Sequence, residues 1–143
     1  SPEGARLYVE QHNRPLTVDD VNPIASLQAE LEEVAIRKAR GLVIHDTDLV
    51  STLVYAHHYY GTSPAWITRT ASERAADLYL LCDIDLPWVS DGLQRDSGLA
   101  EQRRQIHEKF VEAMTRSGLR WTLIRGLGEK RLEQAVRAIK ALA

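Results

Sequence analysis

Three short apolar runs limit what this chain can fold into: Gly41-Leu42-Val43-Ile44-His45, Leu78-Tyr79-Leu80-Leu81-Cys82 and Arg120-Trp121-Thr122-Leu123-Ile124. Runs of this length and composition read as buried strands rather than helices. Stretches with helical spacing separate them. Residues 17–40 open on Thr17-Val18-Asp19-Asp20, a capping box with a hydroxyl cap and a carboxylate three residues on. Asn22 then caps Pro23, with Ile24, Leu27, Leu31 and Val34 as the apolar stripe and Gln28, Glu30, Glu33 and Lys38 off it. Asp48 caps a helix over about 49–60 that Gly61 ends, and a short helix covers about 67–76. Residues 99–117 carry an Ile106, Phe110, Val111, Met114 stripe, and Leu132, Val136, Ile139 and Leu142 mark an amphipathic last helix.

Strands alternating with helices predict an α/β domain with a parallel sheet, folded as one domain over residues 1–143. A chain of 143 residues is long enough for a sizeable core. With 18 Lys and Arg against 20 Asp and Glu, the formal charge is −2, which argues against a generic polyanion binder, and no nucleic-acid role is expected. One cysteine, Cys82, excludes an internal disulfide and a multi-cysteine zinc site, and its apolar neighbours predict inert core. No apolar run reaches the ~20 residues of a membrane span. Together these features predict a soluble, cytoplasmic protein without a membrane partner. The chain opens at Ser1-Pro2-Glu3 and its only methionine is Met114, so a processed protein or a piece of a longer one is expected.

The chemistry gathers after the strands. Asp46-Thr47-Asp48 follows the first run, Asp83-Ile84-Asp85 with Trp88 and Asp91-Gly92 the second, and Arg125-Gly126 the third. In a parallel sheet such loops share one edge, where ligands bind. Carboxylates suit Mg²⁺, which takes one or two of them plus substrate phosphates and water. Arginines complement phosphate. Each residue also has a plainer use: Asp48 as a cap, Asp83 and Asp85 in turns, Trp88 in packing, and Arg95, Arg103, Arg104 and Arg116 solvating a helix. His57 and His58 are adjacent on a helix and cannot easily face one metal, and His107 shows no partner in the sequence. No G-x-S-x-G elbow supports a nucleophilic serine.

Asp46-Thr47-Asp48-Leu49-Val50-Ser51-Thr52, Tyr59-Tyr60-Gly61 and Asp83-Ile84-Asp85-Leu86-Pro87-Trp88-Val89-Ser90-Asp91-Gly92 resemble the NadR-type ribosylnicotinamide kinases of the AAA-like P-loop group. Pro2-Glu3-Gly4-Ala5-Arg6 resembles that family's P-E-Y-A-R segment, with Gly4 in place of Tyr. The resemblance runs from residue 2 to the last helix. It implies a P-loop kinase-like three-layer αβα fold with a parallel sheet. It also implies ATP-dependent phosphorylation of nicotinamide riboside, or a related small nucleoside, at the 5′-hydroxyl in NAD biosynthesis or salvage. Under it Asp46 is catalytic and near Mg²⁺. Glu3, Arg6, Asp48, Tyr60, Trp88 and Asp91 bind the nucleoside, with Trp88 facing the nicotinamide ring. Arg95 with Arg103, or with Arg104, would be lid arginines at the phosphates, and Gly126 and Leu127 border the adenine of ATP. Oligomeric state, including a homo-oligomer, is left open.

The sequence holds no G-x-x-x-x-G-K-[ST] cradle, which the family carries upstream of P-E-Y-A-R on its first strand. These residues are therefore expected to be the C-terminal portion of such a domain, with its N-terminal strand and P-loop missing, inactive toward ATP alone and exposing an apolar strand edge. The alternative is a non-catalytic nucleoside-binding or protein-interaction module.

Overall fold

The computed structural model describes residues 1–87, 89 and 100–142. Six α-helices and two strands follow in the order α1 (Gly4–His12), α2 (Val21–Lys38), α3 (Leu49–Tyr60), α4 (Ala65–Glu73), β1 (Tyr79–Cys82), α5 (Ala100–Arg116), β2 (Trp121–Ile124) and α6 (Gly128–Lys140), with a 3₁₀ turn at Val18–Asp20. This is a mixed α/β fold with a parallel sheet, as expected. The chain divides into two compact units, one holding α1 to α4 and the other β1, α5, β2 and α6.

In the first unit, Asp48 accepts from the Val50 and Ser51 amides at the start of α3, and Gly61 closes that helix in the left-handed conformation at φ 69°. The Thr17–Asp20 capping box forms, but it closes the 3₁₀ turn. Helix α2 then begins at Val21, so Asn22 and Pro23 lie within its first turn and Asn22 is not the cap. Its buried stripe is Val21, Ile24, Ala25, Gln28 and Glu32, one step round from the expected face. Gln28 is thus buried, and Val34 is exposed. The core is completed by Val9, Leu49, Val50, Val54, Ala56, Ile67 and Ala71.

Residues 41–45 are not a strand. A ladder needs a neighbour with several residues in register, and here one residue serves: the Ser1 ammonium donates to the Ile44 carbonyl at 2.7 Å, and the Asp46 N–H donates to the Ser1 carbonyl at 2.9 Å. The run's apolar side chains are correspondingly open to solvent, Leu42 at 60% and Ile44 at 64%.

In the second unit β1 and β2 pair in parallel, Tyr79 against Trp121 through Cys82 against Ile124, so the sheet of the described residues has two strands rather than three. Helix α5 is the crossover between them and buries Ile106 and Met114. Cys82 ends the exposed side of β1 and is not core. Helix α6 forms as expected but leaves Leu132 and Val136 exposed.

Candidate functional site

In the first unit a cavity of about 90 Å³ opens among α1, α2 and α3. Glu3, Thr17, Gln28, Thr47, Tyr55 and Tyr60 are among its lining residues. Tyr55 and Tyr59 come from one face of α3, four residues apart, with parallel rings 6.2 Å between centroids. Burial pushes the Tyr60 phenol above its ordinary range, reinforced by the negative charge of Asp20. Pockets that swallow a drug-sized ligand run roughly 300–1,000 Å³. This cavity is smaller than that.

One wall rests on Asp20. The Arg14 guanidinium donates to both of its oxygens at 2.7 and 2.8 Å, the Tyr8 hydroxyl at 2.9 Å, and Thr17 through its N–H at 2.7 Å and its hydroxyl at 3.1 Å. Arg14 first, then the Thr17 and Tyr8 bonds, hold the Asp20 carboxyl far below the usual carboxylate range against the opposing effect of burial. This network fixes Thr17, and with it the turn that forms the lip of the cavity.

Of the Asp46-Thr47-Asp48 loop, Thr47 lines the cavity. Thr47 stands at φ 65°, an uncommon conformation for a β-branched residue. Asp46 is exposed, whereas Asp48 spends one carboxylate oxygen on the α3 amides at 2.9 and 3.4 Å. Of the nucleoside residues expected from sequence, Glu3 and Tyr60 line the cavity. Arg6 lies on α1, half exposed, 3.6 Å from the Glu3 carboxylate. Trp88, Asp91 and Arg95 lie outside the described residues.

In the second unit the ends of β1 and β2 carry a polar cluster. Asp83 faces Arg125 at 3.0 Å and His107 at 3.8 Å. Asp85 accepts from the Gly126 N–H at 2.7 Å and from Arg131 at 2.7 Å. Those two bonds, the Gly126 one first, lower its carboxyl below the ordinary value. Arg131 also donates to the carbonyls of Asp83 and Gly126. Both backbone polar groups of Gly126 are thus engaged within the unit, and Leu127 presents an exposed apolar side chain. Arg103 donates to the Leu86 carbonyl at 2.9 Å, while Arg104 pairs with Glu101 and Glu108 along its own helix.

Sequence reasoning passed over Gln28, Glu32, Arg131 and the partner of His107. Gln28 and Glu32 do share a helical face with Val21 and Ile24, which is a readable signal. Arg131 lies 46 residues from Asp85, and no local spacing reveals that pair.

The exposed Asp46 carboxylate is an oxygen donor of the kind that Mg²⁺ takes together with substrate phosphates and water. Among the described residues no group of three or more His, Cys, Asp or Glu could hold a metal. No helix of the described residues is long and apolar enough to cross a membrane.

Residues 1–131 match a family model described as an AAA domain. The chain is 27% identical over 126 residues to the trifunctional NAD biosynthesis/regulator protein NadR of Escherichia coli (strain K12), covering 85% of this chain and 30% of that protein. It is likewise 27% identical over 127 residues to the NadR of Salmonella typhimurium (strain LT2), covering 86% and 31%. The chain thus spans about a third of the length of these curated relatives.

Proposed function

The chain belongs to this AAA domain family, and from that premise we propose that it is the nucleoside-side portion of an ATP-dependent kinase. In the complete protein it would pass the γ-phosphoryl group of ATP to the 5′-hydroxyl of nicotinamide riboside or a close relative. The observation that carries this reading is the cavity that sets Glu3 and Tyr60 in one lining with Thr47, the residue between Asp46 and Asp48. Kinship with proteins named for NAD biosynthesis supports the choice of nucleoside.

Phosphoryl transfer asks a protein for positioning and charge neutralisation more than for covalent chemistry. The cavity takes the ring. Tyr55 and Tyr60 supply π surface to a pyridinium, an attraction of roughly 0.5–2 kcal/mol. Glu3, with a buried carboxylate beside Arg6, accepts from sugar hydroxyls. Asp46 takes the proton of the attacking hydroxyl and would hold Mg²⁺, which supplies charge neutralisation at the phosphates when bound. Asp48 keeps the loop and α3 in register as cap. The family resemblance further assigns Trp88 to the nicotinamide ring, Arg95 and Arg103 to the transferred phosphoryl group, Asp91 to the opening of the lid, and Gly126 and Leu127 to the adenine.

The test is transfer from ATP to nicotinamide riboside by the complete protein, read as nicotinamide mononucleotide formed. Asp46→Asn is expected to abolish transfer while leaving the melting temperature within a few degrees. Riboside binding without transfer in the wild type would favour a non-catalytic binding module. A near-normal rate in Asp46→Asn would remove that residue from the mechanism.

A further inference from the structure

We propose that Gln28 and Glu32 form a positioning device for the Asp46-Thr47-Asp48 loop, gripping its backbone on both sides of Asp48 and tying it to the segment that carries Glu3. The two side chains lie one turn apart on α2 and so share a face. They are 2% and 3% exposed, polar groups in a stripe otherwise made of Val21, Ile24 and Ala25.

Gln28 spans two segments. Its Nε2 donates to the Thr47 carbonyl at 3.2 Å, and its Oε1 accepts from the Gly4 N–H at 2.8 Å. The Glu32 carboxylate hydrogen bonds with the Gln28 amide and accepts from the Leu49 N–H. Leu49 is the first residue of α3, so that N–H is one of the helix's orphan donors. Glu32 Oε1, by contrast, is buried with no partner. Burying a carboxylate and an amide only to cap one turn is expensive, and a simple apolar pair would pack the helices as well. The arrangement makes sense as a hold on Thr47, which at φ 65° occupies a conformation that persists only where its surroundings over-determine it. Asp46 and Asp48 flank that residue, so its backbone angle sets the direction in which Asp46 leaves the loop.

The hold on the loop stands independently of the catalytic reading; its effect on turnover rests on the proposed kinase function. Two readouts separate them. In the complete protein, Gln28→Met should speed hydrogen exchange at the amides of residues 47–49 about tenfold, the equivalent of one lost hydrogen bond. Exchange in the last two turns of α3 should stay unchanged. Gln28→Asn, one methylene short of reaching both partners, should do the same if the Met variant does not fold. Turnover should fall about tenfold with the riboside KM within about twofold, the signature of misplaced catalytic groups rather than lost binding. Unchanged exchange at 47–49, or an equal rise through all of α1 to α3, would overturn the proposal. If the wild type transfers no phosphoryl group, the kinase reading falls and the exchange pattern alone decides the device.

Discussion

Gly4→Ala sets two effects of opposite sign against each other in one contact. Gly4 opens α1 where that helix meets α2, and its N–H donates to Gln28 Oε1 at 2.8 Å. A methyl group there would stand 3.0 Å from Gln28 Oε1 and 3.2 Å from both the Cα and N of Gln28. Carbon contacts prefer roughly 3.5–4.0 Å. Two of the three atoms are helix backbone, so α1 has to back away by a few tenths of an ångström. Overpacking of this kind costs about 1–3 kcal/mol. Alanine's higher helix propensity returns at most about 1 kcal/mol, and less in a first turn. The clash therefore wins, and Gly4→Ala should lose about 1–2 kcal/mol. The change also loosens Gln28 and moves the backbone next to Glu3, so riboside affinity should fall several-fold. Urea unfolding followed by fluorescence would show a lower midpoint with an unchanged slope. A variant as stable as wild type or more so would mean that propensity outweighs the contact, and that α1 does not press on α2 as described.

Three further outcomes follow from the same unit. Asp20→Asn removes the charge that gathers Arg14, Tyr8 and Thr17 and should cost about 2 kcal/mol, mostly through buried donors left poorly matched, since half-exposed Arg14 is screened by solvent. Because the Asp20 carboxyl is depressed in the folded state, its contribution is present above the unfolded value of about 3.9 and fades as pH falls toward the folded one; urea midpoints for wild type and variant should converge below about pH 4. Asp48→Ala deletes the α3 cap and should lower stability by about 1 kcal/mol by the same assay. Glu32 shows the opposite sign: burial raises its carboxyl, so its contribution is complete below the unfolded value of about 4.3 and is lost as pH rises through the folded one. The stability of Glu32→Gln relative to wild type should therefore improve from pH 4 to pH 8, and a flat difference would refute the shift.

Local chemistry made part of this fold legible. Asp48 and Gly61 bracket α3 as their side-chain and backbone preferences require, and β1 and β2 lie within a residue or so of their apolar runs. What stayed hidden depends on partners far along the chain. Residues 41–45 have strand composition, yet among the described residues Ser1 alone pairs with the run. Helix α1, Gly-Ala-Arg-Leu-Tyr-Val-Glu-Gln-His, buries just Gly4 and Val9, too little to print a periodic stripe. Apolar counting set Gln28 outside the buried face and left Glu32 unassigned, because polarity masked a spacing that fits that face. That Tyr55 and Tyr60 line a cavity with Glu3 is a fact of tertiary packing. His107 meets Asp83 across the crossover, a pairing no local pattern announces.

The most direct measurement is equilibrium binding of nicotinamide riboside to the complete protein, wild type against Tyr60→Ala, with the far-UV spectrum recorded to verify the fold. If the cavity bounded by Glu3, Thr47 and Tyr60 receives the nucleoside ring, the variant should bind at least tenfold more weakly with an unchanged spectrum. Equal affinity in the two proteins would place the nucleoside elsewhere and contradict the account.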